Sequence, residues 1–150
     1  MSRTLKGTAA GLAATIPMTV SMGVLQRMSH PSTRIAPSEV VRRAEKMASL
    51  DKEIGEKTHE TLTGIAHFAF GGAAGAGFGL VGPFKHPMLA GLLYGASVYG
   101  VSYIGILPEL RLMPEPENDR PQRQSATFLS HIVWGAVLGA IYGFLTDQSD

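Results

Sequence analysis

The sequence predicts an all-α, polytopic membrane protein: a four-helix bundle built from two duplicated helical hairpins, with a short amphipathic helix in the first loop. Three observations predict it. The thirteen basic and twelve acidic residues all fall outside four apolar blocks, 7–26, 61–84, 86–108 and 124–146. At ~1.5 Å per helical residue, blocks of about twenty residues cover the ~30 Å hydrocarbon layer. Most of the 18 glycines lie inside these blocks. A water-exposed helix loses about 1 kcal/mol at each glycine, whereas membrane helices use them for close backbone approach, which argues against a soluble bundle. The chain reads as one integral membrane domain, 1–150, with spans near 7–26, 61–81, 87–107 and 125–146.

In the first block, Arg3 and Lys6 precede an apolar run that ends in the small-x-small sequence Ser21-Met22-Gly23, as in a cleaved signal peptide. Three later spans favour an uncleaved first helix. Pro17 removes one backbone hydrogen bond and predicts a kink near Ala13, with Thr15, Thr19 and Ser21 at hand for the freed carbonyl. In the first loop, Ser38 is placed to cap a helix from Glu39 to about Ser49. Its Val40, Val41, Ala44, Met47 and Ala48 form one face and Arg42, Arg43 and Lys46 the other, as on an interfacial helix resting on an anionic leaflet. The second span holds eleven Gly or Ala in 61–81 and is expected inside the bundle. Residues 82–86 predict a tight turn. The third span, rich in Leu, Val and Tyr, is the most lipid-compatible. Pro114, Pro116 and Pro121 make the third loop irregular. The fourth span combines a glycine stripe with Ile132, Val133, Leu138, Ile141 and Phe144.

Loops 1 and 3 share one side and carry ten Lys and Arg against three on the other. That count places them in the cytoplasm with both termini outside, although the basic N-terminal tail pulls the opposite way. A net charge of +1 predicts no nucleic-acid surface, and zero cysteines exclude disulfides, a thiol nucleophile and thiolate metal sites.

Sliding the chain by 64 residues places Thr63, His67, Phe70, Gly71, Gly75, Ala76 and Gly79 on Thr127, His131, Trp134, Gly135, Gly139, Ala140 and Gly143. The first and third spans align less strongly at an offset of 80, with Ala10-Gly11-Leu12 on Ala90-Gly91-Leu92. A two-span repeat keeps its direction across the membrane, so spans 2 and 4 run parallel and the two histidines lie at one depth. The stripes Gly71, Gly75, Gly79 and Gly135, Gly139, Gly143 are expected to pack spans 2 and 4 against each other at the bundle centre.

His67 and His131 are the readily ionisable groups inside the spans, hence a candidate functional pair. Four uses are open to them. Threonine and histidine can hydrogen-bond across the central contact. Two imidazoles can ligate heme, provided spans 2 and 4 stand apart. A proton-linked or small-solute path lacks an intramembrane carboxylate. A metal site drawing on Glu60 meets only Gln124 at the repeat position, a poor ligand. No catalytic triad or phosphate loop is present, and the glycine-rich run 71–77 has no strand before it. The expectation is a non-enzymatic protein with no resident cofactor.

Ala14-Thr15-Ile16-Pro17-Met18-Thr19, His67-Phe68-Ala69-Phe70-Gly71, Tyr103-Ile104-Gly105-Ile106-Leu107-Pro108 and His131-Ile132-Val133-Trp134-Gly135 resemble segments of a group of small, uncharacterised bacterial four-span inner-membrane proteins, distantly similar to the YagU family. The resemblance implies helix count and inner-membrane location and supplies no activity. With no soluble catalytic domain, the functional expectation is a structural or accessory subunit of a larger membrane complex. It would contact lipid and a membrane-protein partner or further copies of itself. Bis-histidine heme electron transfer and small-solute transport are the alternatives.

Overall fold

The computed structural model describes residues 1–29 and 35–147. Arg34, counted above among the loop 1 cations, and residues 148–150 lie outside the described residues. Helix α1 spans Arg3–Ser29, α2 Ala36–Met47, α3 Glu56–Val81 and α4 Pro87–Tyr99. From Tyr99 the chain continues through a π-helical segment, Gly100–Ile106, to a last turn, Leu107–Glu109. After a 3₁₀ turn at Pro116–Asn118, α5 runs Pro121–Asp147. Among the described residues, four stretches are long and apolar enough to cross a membrane: Arg3–Met28, Glu56–Val81, Pro87–Glu109 and Pro121–Asp147. Their helices overrun the apolar blocks because flanking charged residues such as Arg3, Glu56 and Arg123 continue a helix into the polar boundary.

The packing order across the bundle is α3, α1, α5, α4: α1 lies on α3, α5 on α4, and the two hairpins join through α1 and α5, while α3 and α4 barely touch. This corrects the expectation that spans 2 and 4 meet. The glycine stripes are packing surfaces, but each closes on the antiparallel neighbour in its own hairpin. A Cβ at Gly11 would run into the Gly71 carbonyl and lie 2.8 Å from the Gly75 Cα. A Cβ at Gly91 would run into the Gly135 carbonyl and lie 2.9 Å from the Gly139 Cα. These two contacts superimpose under the offsets of 80 and 64, so the repeat is written into three dimensions. Gly79 meets the backbone of Arg3 and Thr4, and Gly143 meets the Pro87 ring at 3.3 Å. The stripes look alike because they do the same job twice, which gives them no affinity for each other.

One further expectation changes with this order, and another holds. Ala66, Ala69 and Ala73 of α3 are exposed, so α1 and α5, rather than α3, take the centre. The third span is the most lipid-facing, with 22% of its apolar window buried against 39% for α5. Helix α1 is assigned as one continuous helix through Pro17. Thr15, Thr19 and Ser21 donate to the carbonyls of Gly11, Thr15 and Met18, and none of these bonds serves Ala13.

At the end nearest the turn between α3 and α4, Phe78 stacks on Phe84 with ring centroids 4.4 Å apart and meets Tyr142 edge-on at 5.3 Å. Arg3 donates to the Gly82 carbonyl across this end. Tyr94 reaches from α4 to α3, its hydroxyl donating to the Ala74 carbonyl at 2.8 Å. Beyond Tyr94, toward loops 1 and 3, α3 and α4 part.

Candidate functional site: an intramembrane cavity

Where α3 and α4 part, a cavity of about 270 Å³ opens between the four spans. That is slightly below the range of small-ligand pockets, which run about 300–1,000 Å³. Its walls are mostly apolar, with Met18 and Met22 from α1, Phe70 from α3 and Trp134 from α5. His67 and His131 both line it, as do Thr63 and Thr127. The cavity does not extend past Gly71 and Trp134 toward the Phe78 cluster, so it ends blind. On the α3–α4 side its lining includes Ala66 and Phe70, which are exposed. That seam opens on the outside of the bundle.

The two histidines are set differently. His131 is buried and its Nδ1 lies 2.8 Å from the Thr127 carbonyl oxygen. A carbonyl only accepts, so Nδ1 carries the proton and Nε2 of the neutral ring keeps its lone pair. Tyr99 meets this ring edge-on, with centroids 5.6 Å apart. His67 Nε2 is buried and has no hydrogen-bond partner. The Thr63 hydroxyl, one turn earlier, is likewise buried without a partner. That is unusual here: Thr8, Thr15, Thr19, Thr61, Thr127 and Thr146 each donate to the carbonyl four residues back. The expected hydrogen bonding of threonine to histidine across a central contact is therefore replaced by one histidine tied to its own helix and one left open at a cavity.

Helix α2 covers the cavity mouth. It begins at Ala36 with Pro37 in its first turn, a position where a missing N–H costs nothing. Ser38 does not cap it. Its hydroxyl lies 2.9 Å from His59 Nε2, and His59 Nδ1 lies 2.9 Å from Glu45 Oε1. His59 is 1% exposed, so this relay fastens α2 to the start of α3. Arg42 pairs with Glu56 at 2.7 Å and Arg43 with Glu39 at 2.9 Å. Val40 and Val41 line the cavity. The face expected to rest on the leaflet is thus divided: its valines meet the bundle, while Ala44, Met47 and Ala48 are exposed.

The opposite wall is set by the π-helical segment. Ser102 and Tyr103 lie in it, and Tyr103 stacks on Tyr99 with centroids 5.2 Å apart. Tyr103 donates to Asp119, which also accepts from Arg123 Nε at 2.8 Å and from the Arg120 backbone N–H at 2.8 Å. Burial pushes the Asp119 carboxyl up, but the hydrogen bonds from Arg123, Tyr103 and Arg120 outweigh it and hold the group below its ordinary value. The third loop, expected to be irregular, is therefore pinned to the π-helical segment and α5. The α2 relay was readable in principle, because His59 falls on Arg123 at the 64-residue offset, so both repeat positions anchor the neighbouring loop. The π segment had a weaker cue in Gly100, Gly105 and Pro108.

Fold and site together define a multi-pass membrane helical bundle with a blind, histidine-lined cavity. The chain belongs to DUF6789, a family of unknown function whose pattern matches residues 1–150. No curated protein and no solved structure matches the chain. Neither kinship with YagU nor a bacterial inner membrane follows from that membership.

Proposed function

We propose that this chain is a non-enzymatic accessory membrane protein, suited to a bacterial inner membrane, whose bundle holds a small bilayer-soluble molecule for a larger membrane complex. The observation that carries the reading is the blind cavity between the two hairpins, with its open seam toward lipid and two buried polar atoms lacking partners. Buried polar groups are normally satisfied, and exceptions cluster where something else completes them. A blind cavity supports holding a molecule better than conducting one. The test is native mass spectrometry of the protein extracted in mild detergent, with solvent extraction of whatever it retains. A stoichiometric small-molecule adduct, lost when Ala66→Phe blocks the seam, is the expected result. Its absence from a protein that retains its helicity would count against the reading.

Heme is the second reading, because the structure removes one objection to it: α3 and α5 are held apart by α1, so glycine contact does not fill the space between His67 and His131. A porphyrin still exceeds a 270 Å³ cavity, and among the described residues no Lys or Arg lines the wall to meet its carboxylates. A Soret band in the purified protein that disappears in both His67→Leu and His131→Leu would select heme.

A further inference from the structure

Resting on the binding reading above, we propose that the occupant is an uncharged amphiphile with a hydroxyl headgroup, held by Thr63, His67 and His131, with its tail leaving between α3 and α4. The charge follows from the wall: among the described residues no Asp, Glu, Lys or Arg lines the cavity, and an unpaired charge against apolar side chains is strongly disfavoured. The headgroup follows from the unmet polar atoms. Thr63 Oγ1 and His67 Nε2 are one helical turn apart on α3 and neither has a partner. His131 has committed its Nδ1 proton to Thr127, so its Nε2 is an acceptor. A hydroxyl donates once and accepts twice, which suits one acceptor imidazole and a threonine that both donates and accepts. A ketone or ester, which only accepts, gives His131 nothing.

The route of the tail follows from the repeat. Under the 64- and 80-residue offsets, α1 against α5 and α4 against α3 are the same interface, yet the first is closed and the second is open. The opening lies beside exposed Phe70 and Ala66, which line the cavity. A chain of methylene groups passing there would lie between two apolar helices and continue into the bilayer. Phe70, 51% exposed, would flank it. Met18 and Met22, flexible and apolar, form the inner wall, a composition that accommodates chains of differing shape.

Trp134 is the single tryptophan of the chain, lines the cavity and is 2% exposed, so its fluorescence reports the cavity rather than the lipid. The experiment uses the full chain in phosphatidylcholine nanodiscs and three probes brominated at the sixth carbon, which keeps the bromine near the headgroup and within the cavity: bromoundecanol, bromoundecanoate and bromoundecylamine. Bromoethanol serves as a tail-less, water-borne hydroxyl. Bromoundecanol should quench Trp134 saturably, with the carboxylate and amine at least about tenfold weaker. Thr63→Val and His67→Leu should each weaken the alcohol by about tenfold without lowering the melting temperature of the empty protein. Equal quenching by all three long probes, or preference for a charged one, would overturn the hydroxyl assignment and leave the cavity reading standing. Saturable quenching by bromoethanol at equal concentration would overturn the role of the tail. No saturable quenching by any probe would overturn the binding reading itself.

Discussion

The two hairpins of this bundle share a frame and differ at its polar end. In both, a glycine on the first helix sits against two glycines on the second, Gly11 on Gly71 and Gly75, and Gly91 on Gly135 and Gly139. Toward loops 1 and 3 the copies diverge. His131 is hydrogen-bonded to its own helix while His67 Nε2 is unpartnered. Trp134 is buried and donates its indole N–H to the Gly11 carbonyl at 3.2 Å, tying the hairpins together, whereas its counterpart Phe70 is exposed. The frame is held by backbone proximity, where any side chain is an intrusion. The polar end is held by individual hydrogen bonds, which one copy can lose without the other.

The largest test asks whether the frame is energetically duplicated. Gly11→Leu and Gly91→Leu should each destabilise the bundle by about 3 kcal/mol, since a side chain would have to displace backbone rather than a flexible neighbour. Reversible unfolding in mixed detergent micelles measures it. A leucine tolerated in one hairpin alone would show that the contact is a geometric repeat without an energetic one.

Next is the pair where the copies differ most in burial. Trp134→Ala should cost about 2–3 kcal/mol through the void and the lost bond to Gly11, somewhat less than in water because hydrocarbon is no worse a solvent than the core. Phe70→Ala should change stability by less than about 0.5 kcal/mol. Similar losses at both positions would mean that Phe70 is packed and the seam closed.

Asp119 has no carboxylate counterpart, its repeat position being Gly55. Its carboxyl is held below the ordinary value of 3.8 in the folded chain. Stability from this group is therefore fully present above pH 3.8 and is lost as pH falls through the lowered folded value. Asp119→Asn should cost about 2 kcal/mol at neutral pH and flatten the acid limb of the stability profile. An unchanged acid limb would remove Asp119 from the account of how loop 3 is pinned.

Smaller still is the contrast between the histidines. His131→Leu should lose about 0.6 kcal/mol with its hydrogen bond to Thr127. His67→Leu should be neutral or slightly stabilising, because it removes a buried nitrogen with no partner. Equal losses would place an unseen partner on His67. With no energetic effect at all, Ser49→Cys and Lys85→Cys test the orientation proposed from the Lys and Arg count. Intact cells should leave Ser49→Cys unlabelled by an impermeant thiol reagent and label Lys85→Cys, and the reverse pattern would invert the topology.

The four spans were legible because charge is excluded from hydrocarbon so strongly that 61–84 and 124–146 could be bounded by counting. The repeat was legible because Thr63, His67 and Gly71 have counterparts at one fixed offset. The partners of the glycines were not: a small-residue stripe states that a backbone comes close and says nothing about which one. Gly11 and Gly91, aligned at the offset of 80, held that information. Helix α2 starts at Ala36, three residues before the Glu39 start that a Ser38 cap implies, because Pro37, whose missing N–H costs nothing in a first turn, is the stronger mark. The cavity could not be read at all, since it arises from two helices failing to meet, and no residue type encodes a gap.

That gap bears on the ancestry of the molecule. Two separate, identical hairpins related by a two-fold axis would make the α1–α5 contact twice, and any substitution opening one side would open both. A single fused chain is released from that constraint. Trp134 can seal one interface while Phe70, at the same repeat position, leaves the other ajar. An off-axis opening on one flank only is thus a property that duplication followed by fusion permits and a symmetric pair forbids.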